Sequence, residues 1–135
     1  MGLISTLRVS ASGLSAERLR MDLIADNLAN ANTTRTPDGQ PYRRKVAVFE
    51  PIMPTAHLPG GVRVVQIVQD LTPPRLVYEP GHPDADPNGY VAYPNVDIVH
   101  EMVDMITATR AYEANIQAFN AAKMMFMRTL DIGRV

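Results

Sequence analysis

His82, Asp84 and Asp86 are spaced as metal ligands could be: in GHPDADPNGY they alternate, and on a strand they would share one face. A firm metal site asks for three or four convergent ligands. Residues 80–89 also hold three prolines and two glycines. That composition predicts a turn whose Asp and Asn side chains hydrogen-bond local backbone. His57 and His100 have no partner nearby in sequence. SASGLS, residues 10–15, has the outline of a nucleophile elbow but lacks the strand–turn–helix setting. Ser10, Ser12 and Ser15 fall instead on or near the polar side of an amphipathic helix. PGG lacks the spacing of a phosphate loop and the helix that should follow it. The expectation is a protein with no catalytic residue, no metal and no cofactor.

Two polar clusters are richer. DNLANANTTRT, residues 26–36, places Asn27, Asn30, Asn32, Thr33, Thr34 and Thr36 where a helical pattern dissolves. Asn30 or Asn32 is expected to cap that helix, since asparagine tolerates the left-handed conformation. The other neutral amides and hydroxyls can set the register of one helix against others without burying a charge. RAYEAN, residues 110–115, holds Arg110 and Glu113 three apart, able to pair on one helix face. Tyr112 and Asn115 add an aromatic body and an amide. These groups suit a packed polar contact, where an unpaired member would cost roughly 1–3 kcal/mol.

The elements that must position these residues follow from periodicity. Leu7, Leu14, Met21 and Leu28 recur every seven residues. Ile4, Ala11 and Ala25 form a neighbouring row that Arg18 interrupts, giving an imperfect heptad seam over about residues 4–31. Ten of the eleven prolines lie from Pro37 to Pro87, which rules out a long helix there. KVAVFE, GGVRVVQIVQ and RLVYE read as short strands. After PNVD no proline interrupts the chain, and no glycine appears before Gly133. The apolar row Met102, Met105, Tyr112, Ile116, Phe119, Phe126 and Leu130 follows three–four spacing. It predicts a helix over 96–132 with Asn95 as N-cap and Asp97 favouring the dipole. The fold class expected is α+β, mainly α: two long terminal helices paired as a coiled-coil hairpin around a small β-rich insertion. The divisions are 1–34 for the first helix, 35–94 for the insertion and 95–135 for the second helix.

A helix of that length runs about 55 Å at about 1.5 Å per residue. A compact domain of this size is only about 26–30 Å across. The second helix also has apolar residues on more than one face and carries five of the eight methionines, side chains that pack adaptably. Two helices alone leave such faces uncovered, so the termini are expected to finish their burial against other subunits. The 13 basic and 14 acidic residues nearly balance, which argues against a nucleic-acid or anionic-membrane partner. No apolar run approaches the roughly 20 residues of a membrane span. The first twenty residues lack a signal-peptide core, so any route out of the cytoplasm would need no cleaved signal.

SASGLSAERLRMDLIADNLANANTTRT closely resembles the N-terminal signature of the bacterial flagellar rod and hook family. PNVDIVHEMVDMITATRAYEANIQAFNAAKMMFMRTLDIGR resembles the C-terminal signature of that family. YEPGHPDADPNGYVAYPNVD and the short chain are most similar to its proximal-rod branch. The resemblance implies a structural axial protein and no enzyme. It implies export through the flagellar type III apparatus and assembly in the periplasm. The partners implied are further copies, other rod subunits, the membrane-ring and export-gate adaptor, and the distal rod. On this resemblance Leu7, Leu14, Met21 and Leu28 make an N-terminal interface seam, and Asn27, Asn30, Asn32 and Thr33 a junction. Arg110, Tyr112, Glu113, Asn115, Ile116, Phe119, Phe126 and Leu130 would lie at C-terminal subunit contacts.

Overall fold

The structure is a computed structural model that describes residues 2–134. Helix α1 spans Leu3–Ala29 and helix α2 spans Ile98–Ile132. Between them lie β1 (Lys45–Ile52), β2 (Gly61–Gln69), β3 (Arg75–Tyr78) and β4 (Tyr90–Tyr93). β1 and β2 form one antiparallel hairpin, and β3 and β4 a second. The architecture is α+β and mainly α, as the periodicity predicts. The proline-rich middle makes no long helix. Strand β4 was not among the expected strands, because its four residues sit between a glycine turn and Pro94, too short to show alternation.

Helices α1 and α2 pack antiparallel as a hairpin. Gly13 faces Asn115 and Asn27 meets Glu101, the same fourteen-residue step on each helix. Continuing that register sets Leu3 level with residue 125. The last turns of α2 therefore project past α1 by about 10 Å at about 1.5 Å per residue.

The positions buried on α1 are Ser10, Gly13, Ala16, Leu23, Ile24 and Asn27. They serve two faces, because the β1–β2 hairpin also packs on α1. Ser12 marks the hairpin face: its Oγ donates to the Val9 carbonyl at 2.7 Å and accepts the Val62 N–H at 3.1 Å. Gly61 begins β2 at φ +153°, and a Cβ there would lie 2.6 Å from Ser12 Oγ. Two of the three serines thus correct the expectation of a polar outer side, while Ser15 is exposed as expected. Ser10 is buried and Ser12 fastens a strand, because a small side chain lets another backbone come close.

The heptad rows fall elsewhere than in this seam. Leu7, Leu14, Met21 and Leu28 are only half-buried, while Ile4, Ala11, Arg18 and Ala25 are exposed. The chain packs the first half of α1 on the small residues Ser10, Gly13 and Ala16 and its second half on Leu23 and Ile24, and leaves the heptad row at the flank. On α2 the in-chain row is Glu101, Met105, Ala108, Tyr112, Asn115, Phe119, Ala122 and Phe126, in strict four–three alternation and all buried or half-buried. Met102, Ile116 and Leu130, expected on that row, are exposed. They are offset by one position from the seam or lie beyond the end of α1.

The cap of α2 falls on another residue than expected, and the cap of α1 falls on Asn30 as expected but in another conformation. Asp97 caps α2, its Oδ1 accepting from Val99 N–H at 3.0 Å and His100 N–H at 3.3 Å. Asn95 lies outside the helix and binds other loops. Asn30 ends α1 at φ −103°, ψ 15°, without the left-handed conformation. Its side-chain amide instead donates back to the Asp26 carbonyl at 2.9 Å, satisfying a terminal carbonyl directly.

Candidate functional site

The end of α1, the start of β1 and the start of α2 meet in a buried polar junction. Asn27 is 1% exposed. Its Oδ1 accepts from the Lys45 N–H and from the Tyr42 hydroxyl, both at 2.9 Å. Its Nδ2 donates to the Lys45 carbonyl at 2.9 Å and to Glu101 Oε2 at 3.3 Å. With Lys45 the amide exchanges two bonds as a neighbouring peptide in a sheet would. An amide side chain can both donate and accept in this way; a carboxylate can only accept.

Glu101 is fully buried. A buried charge must be paired, and Arg44 pairs it through Nε. The same guanidinium reaches Asp104 at 3.2 Å and Asp70 at 3.8 Å. The Arg44 backbone N–H donates to Asn95 Oδ1 at 2.9 Å. Asn95 Nδ2 donates to the carbonyls of Asp70 at 3.0 Å and Thr72 at 3.1 Å. One arginine and two asparagines thus tie together α1, β1, the loop after β2 and α2. Burial works against the charge on Arg44, but the hydrogen bond and charge of Glu101, with Asp104 and Asp70, outweigh it and hold its pKa above the ordinary value. Burial also pushes the Tyr42 hydroxyl up to about 12, with the charge of Asp26 adding to the effect. Tyr42 packs with Ala31 and Val96 in a small apolar core beside the junction.

The remaining residues of the amide cluster act nearby. Thr33 Oγ1 donates to Asn30 Oδ1 at 3.1 Å, and Thr34 Oγ1 to Asp84 Oδ2 at 2.8 Å. Arg35 reaches Asp84 at 3.7 Å. Thr36 Oγ1 donates to the Gln40 carbonyl at 2.8 Å. Asn32 is exposed. The stretch GHPDADPNGY is a turn. Asp84 N–H donates to His82 Nδ1 at 3.0 Å, and Asp86 Oδ1 accepts from the Asn88 and Tyr90 N–H groups at 2.9 and 2.8 Å. The local bonding expected from its prolines and glycines is present, so these carboxylates are engaged with backbone and with Thr34.

At the middle of the hairpin SASGLS meets RAYEAN. A Cβ on Gly13 would lie 2.8 Å from Asn115 Nδ2 and 3.0 Å from its Cγ and Oδ1. The glycine of SASGLS therefore makes room for the last residue of RAYEAN. Tyr112, Phe119 and Phe126 are half-buried along the seam, whereas Arg110, Glu113, Ile116 and Leu130 face outward. Among the described residues Arg110 and Glu113 form no ion pair, contrary to the pairing that their spacing allows. The structure brings together Asn27 with Tyr42, Arg44, Asn95 and Glu101. Of these, sequence reasoning assigned a site role only to Asn27. An acid heading a four–three row of seam residues was the available signal, since a charge on a seam demands a partner.

The comparisons with known proteins bear on what this scaffold is for. Residues 7–35 match the family described as flagella basal body rod protein. Residues 88–132 match the family described as flagellar basal body rod FlgEFG protein C-terminal. The chain is 46% identical to the flagellar basal-body rod protein FlgC of Borreliella burgdorferi, over 98% of each chain. It is 45% identical to FlgC of Salmonella typhimurium, over 99% of this chain and 100% of that one. FlgC of Bacillus subtilis is 43% identical over 96% and 97% of the two chains. The chain belongs to the FlgC family of flagellar basal-body rod proteins. FlgC membership makes it a structural subunit of the rod and places it in the flagellar basal body. The two matched regions cover most of α1 and all of α2, including Gly13, Asn27, Glu101 and Asn115.

Proposed function

We infer that the chain polymerises through its terminal helices, with itself and with other rod subunits, into an axial shaft that transmits torque and encloses the export channel. The observation that carries this reading is the apolar surface left on α2. Val99 is 69% exposed, Ile106 56%, Met124 58% and Leu130 55%. Such a surface on a helix already packed along one side calls for further neighbours. The half-buried row of Leu7, Leu14, Met21 and Leu28 adds an apolar flank on α1. Arg110, Glu113, Ile116 and Leu130 face outward on α2, where a neighbouring helix can reach them. Asn30, Asn32 and Thr33 sit at the open edge of the junction. Asn27, Tyr112, Asn115, Phe119 and Phe126 serve that interface by fixing the hairpin behind it.

In this reading the subunit is exported through the flagellar type III apparatus without a cleaved signal, and assembles in the periplasm. It joins the membrane-ring and export-gate adaptor on one side and the distal rod on the other. Its roles are mechanical, with no catalytic step. No helix among the described residues is long and apolar enough to cross a membrane. The units are the helical core halves 1–34 and 95–135 and the insertion 35–94. Leu28→Asp tests the reading. It should leave the protein produced but block its incorporation into basal bodies, because an unpaired charge would enter a buried contact. Normal swimming by that strain would show that Leu28 faces solvent in the rod.

A further inference from the structure

The chain carries no cysteine, so its eight methionine thioethers are all the sulfur it has. Met1 lies outside the described residues. Met21 and Met105 are half-buried within the chain. Met53, just after β1, and Met102, in the first turns of α2, are exposed singly. Met124, Met125 and Met127 are grouped instead. They fall within one turn of α2, and each is more than half exposed. Successive helix residues point about 100° apart. Phe126, half-buried, fills the side of that turn that meets the seam, and the three methionines take the other three sides. The helix register sets this turn level with Leu3 and Ile4, at the start of α1. Exposed Leu130 and Ile132 continue the same apolar surface.

An exposed thioether is open to peroxide. The sulfur lone pair attacks one peroxide oxygen, and the O–O bond breaks as the S–O bond forms. The departing hydroxide takes up the proton of the transferred oxygen and leaves as water. Sulfur loses two electrons and the peroxide gains them. A thiol-dependent sulfoxide reductase reverses the change. Two thiols supply two electrons and two protons, become a disulfide, and the oxygen leaves as water. The sulfoxide is polar and can only accept hydrogen bonds. Facing water it costs the free chain little, but covered by an apolar neighbour it is a buried polar group without a partner.

We propose that Met124, Met125 and Met127 form a peroxide-oxidised modification site that gates incorporation. The free subunit is oxidised there, and the sulfoxide form is refused by the rod until a reductase restores the thioethers. Methionine suits a surface that must fit several neighbours, because its unbranched chain packs adaptably. The same side chain is the one apolar residue that mild oxidation turns polar. Three of them around one turn leave no side of it, except that of Phe126, untouched by the change. The proposal rests on the polymerisation reading and adds to it a chemical control over which subunits enter.

Trypsin, cutting after Lys123 and Arg128, releases the three methionines in one peptide, residues 124–128, and Met21 alone in another, residues 21–35. Purified full-length protein treated with hydrogen peroxide should gain three oxygens on the first peptide before the second gains one, with helical circular dichroism unchanged. The gene is then induced under sublethal peroxide in a strain lacking it. Mass spectrometry compares peptide 124–128 from isolated basal bodies with the same peptide from unassembled subunit. The sulfoxide fraction should be lower in basal bodies by about tenfold or more. A variant with Met124→Leu, Met125→Leu and Met127→Leu keeps the apolar surface without the sulfur, and should incorporate equally with and without peroxide. Equal sulfoxide in the two fractions would overturn the proposal. So would oxidation of the three no faster than Met21, or a leucine variant as peroxide-sensitive as the wild type. If that variant fails to incorporate even without peroxide, the peptide comparison on the wild-type chain decides alone. Absence of the wild-type chain from basal bodies of untreated cells would defeat the polymerisation reading instead.

Discussion

Asn27 commits both lone-pair directions and both N–H groups inside the chain, and this defines what a substitution there does. Asn27→Asp removes two donated bonds and sets a carboxylate 3.3 Å from where Glu101 Oε2 accepts. A like charge in a buried site is disfavoured, and breaking a buried ionic network costs about 3–5 kcal/mol. Urea denaturation should show a loss near the lower end of that range, while Asn32→Asp, at an exposed position, should cost under about 0.5 kcal/mol. Gly13 makes a second residue-scale prediction. Gly13→Leu should destabilise by about 1–3 kcal/mol through overpacking against Asn115. A double-mutant cycle with Asn115→Ala should return part of that loss; strict additivity would mean the two do not touch. Tyr42 supplies a pH dependence. Its hydroxyl is raised from 10.0 to about 12 in the folded chain. The unfolded tyrosine therefore ionises first as pH rises. Stability from this group is complete below pH 10 and is lost as pH climbs toward 12. Tyr42→Phe should lower stability by about 1 kcal/mol at neutral pH. The same variant should flatten the alkaline slope measured by thermal denaturation.

At the scale of elements, the two helices do different things along their length. Near the junction α2 is held by Glu101 and Asp104, and at its middle by the close approach to Gly13. Beyond Phe126 its last turns run past the start of α1. Deleting residues 127–135 removes that projection and leaves Phe126 and every junction contact in place. The shortened chain should keep the melting temperature of the junction and β-hairpins within a few degrees yet fail to enter basal bodies. A large drop in melting temperature would show that the projection stabilises the monomer. Both long helices, three of the four strands and the turn at His82–Asp86 were legible in the sequence. Period, proline placement and turn chemistry are local signals, so they survive without knowledge of the fold. The seam itself was misread on α1. The heptad of Leu7, Leu14, Met21 and Leu28 is the conspicuous pattern, but Ser10, Gly13 and Ala16 carry the in-chain packing. Small residues leave no hydrophobic signal and matter only when the element that approaches them is known. Arg44 and Glu101 were missed for a related reason: their pairing spans 57 residues, and a single sequence gives no link across that distance.

The whole molecule is a hairpin whose closed end is locked by polar contacts and whose other end leaves apolar side chains exposed. Polar locking fixes geometry, and an uncovered apolar end drives association. That division suits a subunit that must keep one shape while completing its burial in an assembly. The relation to FlgC proteins over nearly the full length places the molecule in the basal-body rod. The central claim is that this chain is required to build the rod through those uncovered helical faces. Electron microscopy of basal bodies from a strain lacking this one gene tests it most directly. The account predicts that the membrane ring remains while rod, hook and filament are missing, and that the intact gene restores them. A complete rod and filament in the deletion strain would contradict it.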